Sequence, residues 1–181
     1  MRADAVRNLD AVLHTGARLL ADDPATSIAT IAAQAGVDRR TVYRRFPTRD
    51  ALLSAVYVAK LDASEKVLDE ARLTEAPVVV ALHRYVESII PVSRQWPLHL
   101  RRLIRQDPEA AERADAQTGR LRDFLARAVD EGLIRADLPD GWALATLGRL
   151  VDNAAHDFAD LAPGRAADVV VSTFLDGVGK R

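Results

Sequence analysis

The sequence predicts an all-α fold of about nine helices, and two observations predict it. Apolar residues recur every three or four positions along nearly the whole chain, the spacing that lines one face of a helix. The interruptions fall at glycine, proline and aspartate, and no stretch shows the period of two that a strand requires. Val6, Leu9, Leu13, Ala17 and Leu20 make the buried face of a first helix, which Asp22-Asp23-Pro24 ends. Thr26 or Ser27 caps a second, striped by Ile28, Ile31, Ala32 and Ala35. Gly36 stops it, because glycine takes a left-handed conformation at little cost. Val37 packs under the turn, and Asp38 caps a third helix, Arg39–Phe46. Pro47 breaks that helix and Thr48 caps a fourth, Arg49–Arg72, with Leu52, Leu53, Val56, Ala59, Leu61 and Leu68 mostly inward. Five more follow near Pro77–Ser93, Pro97–Gln106, Glu109–Glu131, Trp142–Asp160 and Arg165–Gly179. Their breaks are expected at Pro91, Pro97, Pro108, Gly132, Pro139-Asp140-Gly141 and Pro163-Gly164.

Composition narrows the function. At 181 residues the chain can bury a full core. It has no cysteine, which excludes disulfides, thiolate nucleophiles, iron–sulfur clusters and cysteine zinc sites. The longest apolar runs, such as Ala76–Leu82, fall far short of the roughly 20 residues a membrane helix needs. The start of the chain is broken by charge and lacks a signal-peptide block. These features point to a cytoplasmic protein with no membrane partner.

The net charge of −1 hides a local asymmetry. Between Arg39 and Arg49 stand five arginines and no acid, so residues 38–50 carry +3 once Asp38 and Asp50 are counted. Residues 51–181 hold 17 basic and 20 acidic side chains, a net −3. Two short helices joined through Gly36, the second carrying the arginines, form a helix-turn-helix pattern. That motif lays its second helix in the DNA major groove, and the concentrated charge suits a phosphate backbone. Arg39 and Arg40 lie at the start of the helix, where arginine can grip guanine through two acceptors. Thr41 offers a hydroxyl and a methyl, while Tyr43 and Arg44 suit phosphates. Val42 and Phe46 face inward. Thr48 and Arg49 open the next helix, whose amides can bind one phosphate. Ser27 and Arg45 complete the candidate DNA contacts. The motif puts a DNA-binding domain at residues 1–47 and leaves 48–181 as a second helical domain.

The run Thr30–Leu53 closely resembles the DNA-binding signature of TetR-family transcriptional regulators, and the likeness spans about residues 5–55. Ile31-Ala32, Ala35-Gly36-Val37, Thr41, Tyr43, Phe46, Arg49 and Leu52-Leu53 match the family pattern in order and spacing. Two positions depart: the family usually has serine where Asp38 stands, and often lysine where Arg49 stands. Aspartate caps as well as serine but repels a nearby phosphate. Arginine keeps the charge without the lysine geometry.

The resemblance implies that 48–181 is a ligand-binding and dimerisation domain, with the last two helices forming a four-helix bundle with their copies in a second subunit. Leu144, Leu147, Val151, Ala154 and Phe158 make one apolar stripe; Val170, Phe174 and Val178 make another. Leu147, Val151, Phe158, Val170 and Phe174 are therefore the expected dimer residues. Two motifs about 34–36 Å apart would read a palindrome across successive major grooves. An effector pocket is expected among the later helices, with Trp96, His99, Phe124, Asp152 and His156 as candidate ligand residues. Further candidates are His83, Tyr85, Arg102, Trp142 and Asn153. Asp152 and His156 share a helix face and suit a pair. The expected function is that of a homodimeric repressor, released from a palindromic operator when an unidentified small molecule swings the fourth helix. No cofactor and no resident metal are expected. The alternatives are an architectural DNA binder without sequence preference, a protein-interaction module, and a metal-dependent enzyme built on His83, His99, His156 and Asp152. No compact ligand motif, phosphate loop or nucleophile elbow supports the enzyme.

Overall fold

The computed structural model describes residues 2–97 and 107–179. Among these the chain forms eight helices: α1 (Arg2–Asp22), α2 (Ile28–Gln34), α3 (Arg39–Arg45), α4 (Arg49–Ala71), α5 (Val78–Gln95), α6 (Pro108–Asp130), α7 (Trp142–His156) and α8 (Pro163–Val178). The expected helix Pro97–Gln106 lies outside the described residues from position 98 on. An isolated antiparallel bridge, Ile134 to Gly179, is the β-type pairing seen among the described residues. No helix among them is long and apolar enough to cross a membrane.

The helices gather into two compact units. The first holds residues 2–62, 95–97 and 107–112, and the second 63–94 and 113–179. The motif boundary at 47/48 falls inside the first unit, because Leu52 and Val56 of the opening turns of α4 are buried at 0% and 1% exposure in its core.

In the first unit, α1 contributes Val12, Leu13, Ala17 and Leu20 to that core. Ile28, Ile31 and Ala32 come from α2, Val42 from α3, and Phe46 follows it. Each short helix starts on a side-chain cap. The Thr30 amide donates to Ser27 Oγ (3.1 Å), the Thr41 amide to Asp38 Oδ1 (3.1 Å) and the Ala51 amide to Thr48 Oγ1 (3.1 Å). Two contacts bring residues flanking the undescribed stretch into this unit. His14 of α1 meets the Trp96 ring with centroids 4.3 Å apart. Asp107 accepts from the Ser54 hydroxyl of α4 and from the Ala110 amide, which makes it the cap of α6.

The second unit is built on one core, with Phe174, Leu82, Ile90, Val86 and Leu147 at or below 2% exposure. Two arginines brace its corners. Arg94 donates to the carbonyls of Ala154 (3.3 Å), Phe158 (3.4 Å) and Leu161 (3.0 Å) at the end of α7. Arg127 donates to Thr74 (2.9 Å) and Ala76 (2.8 Å) in the turn between α4 and α5. Burial, and then the Asp152 charge, push the Tyr85 phenol well above its ordinary pKa.

Three boundaries differ from expectation. Pro91 does not break α5, which runs on to Gln95. A proline forfeits its own amide bond, but Ile89, Ile90 and Ser93 are buried around it, and their packing outweighs one lost bond. The helix expected over Trp142–Asp160 ends at His156, because the following turn presents its carbonyls to Arg94. The last helix starts at Pro163 instead of Arg165, since a first-turn proline has no amide to satisfy.

The Ser54 hydroxyl first, then the Ala110 amide, hold the Asp107 carboxyl below its usual pKa. A depressed folded-state value gives stability that is present above the unfolded pKa and lost as pH falls through the folded one. Ser54→Ala should therefore lower stability by about 1 kcal/mol at neutral pH. That difference from wild type should shrink as pH is lowered through the carboxylate range, as thermal unfolding across pH would show.

Candidate nucleic-acid interface

The geometry of the first unit decides what α3 can offer. Gly36 sits at φ +67°, a conformation that strains any residue bearing a Cβ, and it turns the chain sharply out of α2. The Val37 amide then closes onto the Ala32 carbonyl at 3.0 Å. On α3 itself Val42 is buried at 2% exposure, with Phe46 just beyond at 5%. Because these two point inward, Arg39, Arg40, Thr41, Arg44 and Arg45 point outward and are exposed, and Tyr43 is half-buried.

Four arginines thus occupy one exposed helical surface with no acidic partner among the described residues. The Asp38 carboxylate is engaged by the Thr41 amide at the helix start. Such a surface can bind phosphates and reach base edges in a major groove. The Arg39 guanidinium carbon lies 5.2 Å from the centroid of the Tyr43 ring. Sequence reasoning did not find this stack, although the i,i+4 spacing was its available signal.

Ser27 and Thr48 are exposed, as a DNA contact requires, but both hydroxyls already cap helices. Arg49 has a partner within the protein. Its guanidinium turns back to donate to the Pro24 carbonyl, so it braces the α1–α2 connection against the start of α4.

The candidate effector residues are distributed over both units. Trp96 is buried at 5% in the first unit, His99 lies outside the described residues, and Phe124, Asp152 and His156 belong to the second unit. Phe124 is buried beneath the Arg127 guanidinium, 5.6 Å from its ring centroid, and His156 is exposed. A cleft of about 490 Å³ in the second unit lies elsewhere, floored by Leu125, Ile134 and Leu144. Of the alternative metal cluster, His99 lies outside the described residues. Among the described residues no three His, Asp or Glu side chains are placed to hold an ion. His83 instead bonds Asp168 at 3.0 Å.

The expected dimer stripe needs correction. Leu147, Val151, Val170 and Phe174 are buried at 0–5% within the second unit's own core and present nothing to a partner. Phe158, just beyond α7, is 54% exposed, and Trp142 of α7 and Val169 of α8 are open at 55% and 42%.

An exposed cationic helix displayed by a capped helix-turn-helix defines a DNA-binding protein. Comparison with known proteins is specific. The model of a family described as bacterial regulatory proteins, tetR family, matches residues 12–56. Over 177 residues the chain is 32% identical to the HTH-type transcriptional repressor LfrR of Mycolicibacterium smegmatis (strain ATCC 700084 / mc(2)155), covering 95% of this chain and 90% of the relative. The crystal structure of the TetR-like regulator LfrR from Mycobacterium smegmatis in complex with proflavine superposes with a TM-score of 0.72 at 29% identity, covering 97% of this chain and 99% of that one. A TetR-family regulator from Marinobacter aquaeolei VT8 shares the fold at a TM-score of 0.75 and 18% identity, with both chains covered completely. The chain belongs to the TetR family of transcriptional regulators, a family of regulators and not of enzymes.

The left-handed turn fixes where α3 leaves α2. Gly36→Ala should lower the stability of the chain by about 1–2 kcal/mol and weaken DNA binding. Chemical unfolding monitored beside a duplex-binding titration would check both.

Proposed function

We propose that this chain is a homodimeric repressor that holds a palindromic operator with one α3 from each subunit and releases it when a small molecule binds the second unit. The observation that carries the proposal is the α3 surface, where Arg39, Arg40, Arg44 and Arg45 stand exposed on a helix fixed by Val42 and Phe46. One such helix reads few bases. A palindrome read by two helices about 34–36 Å apart supplies the missing specificity.

The outer faces of α7 and α8 are proposed as the dimer contact. They carry the exposed Trp142 and Val169, with the exposed Phe158 just beyond α7, together with Gly148 and Gly177, where an added Cβ would meet nothing within 4 Å. Small residues let helices approach closely, and the large apolar ones gain from being covered.

The effector is proposed to be a flat aromatic cation. The supporting observations are the 29% identity to LfrR, whose structure holds proflavine, and the Asp152 charge close enough to the Tyr85 ring to act on its phenol. Aromatic faces and a carboxylate suit such a ligand. A coupling of about 1–3 kcal/mol between effector and operator would suffice for release.

Selection from a random duplex pool tests the proposal. Wild type should enrich a palindrome, with affinity falling steeply as salt rises. Arg39→Ala should relax preference at one symmetric base pair, and proflavine should release the enriched duplex. Binding that fades with salt and enriches no sequence would establish the architectural alternative.

A further inference from the structure

We infer that the Tyr43 ring is a platform that sets the Arg39 guanidinium for base reading, so that Tyr43 determines specificity by positioning Arg39. The inference rests on α3 being the DNA-reading helix. It goes beyond that in assigning Tyr43 a task separate from any contact its hydroxyl makes with a phosphate.

The geometry is direct. Side chains on a helix lean toward its N-terminus, so a residue's ring covers the turn before it. Tyr43 therefore lies over the turn that carries Arg39, and the guanidinium carbon sits 5.2 Å from the ring centroid, within the range of a cation–π contact. Tyr43 is half-buried, so part of its ring surface is covered by the protein and its motion is restricted. Arg39 is exposed, and no carboxylate pairs with it among the described residues. The ring is thus the group that limits its freedom.

A free arginine side chain gives up considerable rotamer entropy when its planar fork docks on guanine O6 and N7. A guanidinium already stacked has given up part of that freedom, and its plane is fixed. The benefit falls on the base that the fork fits and not on the others, so the stack acts on discrimination. Arg40, Arg44 and Arg45 show no such stack among the described residues, which singles out Arg39.

The test is the same duplex selection, run with wild type, Tyr43→Phe, Tyr43→Leu, Arg39→Lys and Arg39→Ala as full-length chains. Tyr43→Phe keeps the π-face and loses the hydroxyl. It should enrich the wild-type sequence while binding every duplex more weakly. Tyr43→Leu keeps bulk and loses the π-face. It should lose about two- to five-fold of the preference at the base pair where Arg39→Ala loses preference, the span expected for an exposed cation–π contact. Arg39→Lys alters an exposed side chain and leaves folding untouched. It keeps the charge without the planar fork or its stack and should lose at least as much preference at that position as Tyr43→Leu. Adding Tyr43→Leu to Arg39→Ala should cost no further preference at that position. Wild-type preference in Tyr43→Leu, or an equal loss on all sequences, overturns the platform and leaves the DNA-reading assignment standing. If wild type itself enriches no sequence, the DNA-reading assignment fails and the platform fails with it.

Discussion

A seven-residue helix cannot hold itself together in water, because its nucleation cost is spread over too few hydrogen bonds. α3 exists because it packs on α2 with Val42 and Phe46 buried, and because Asp38 satisfies an amide at its start. That constraint orders the rest of the first unit. The chain must reverse between α2 and α3, which Gly36 permits at φ +67°. α4 must then start at once on the Thr48 cap and pass Leu52 and Val56 into the same core. With the inward face committed, the arginines have nowhere to point but outward. Charge display is a consequence of core packing, and the DNA-binding class of the protein follows from it.

The second unit solves a different problem. Its helices are long enough to be stable once packed, and it lacks the side-chain caps of the first unit at α7 and α8. Corners are held by arginines reaching across to backbone carbonyls. Arg94 collects three at the end of α7, and Arg127 two after α4. A charged donor bonded to backbone carbonyls stabilises more than a neutral one. It also fixes where each helix must stop. Phe158 is left exposed beyond α7 for that reason, not because the apolar stripe runs on to it.

Much of this was legible in the residues. The four N-terminal helices lie within a residue or two of where capping and periodicity put them, because short helices are marked by local chemistry that a sequence displays directly. The TetR signature was legible for the same reason: Ala35-Gly36-Val37, Tyr43 and Phe46 serve one compact turn. The errors lie where distant parts of the chain decide. Pro91 reads as a break, but Ile89, Ile90 and Ser93 pack around it. An apolar stripe on α7 reads equally as a core or as an interface, and only burial distinguishes them.

The sequence by itself determined the helical class, the helix-turn-helix, the outward arginines of α3 and the regulator family. Those depend on spacing along a single helix or across one turn, where neighbours in sequence are neighbours in space. Tertiary structure alone decided that Leu147, Val151, Val170 and Phe174 belong to the protomer's core and that Asp107 is shared between α4 and α6. It alone also decided that Trp96 and Phe124 fall in different units. The physical reason is common to all three. Each depends on which surfaces meet after the chain has folded back across many tens of residues, and periodicity says that a face is buried without saying against what.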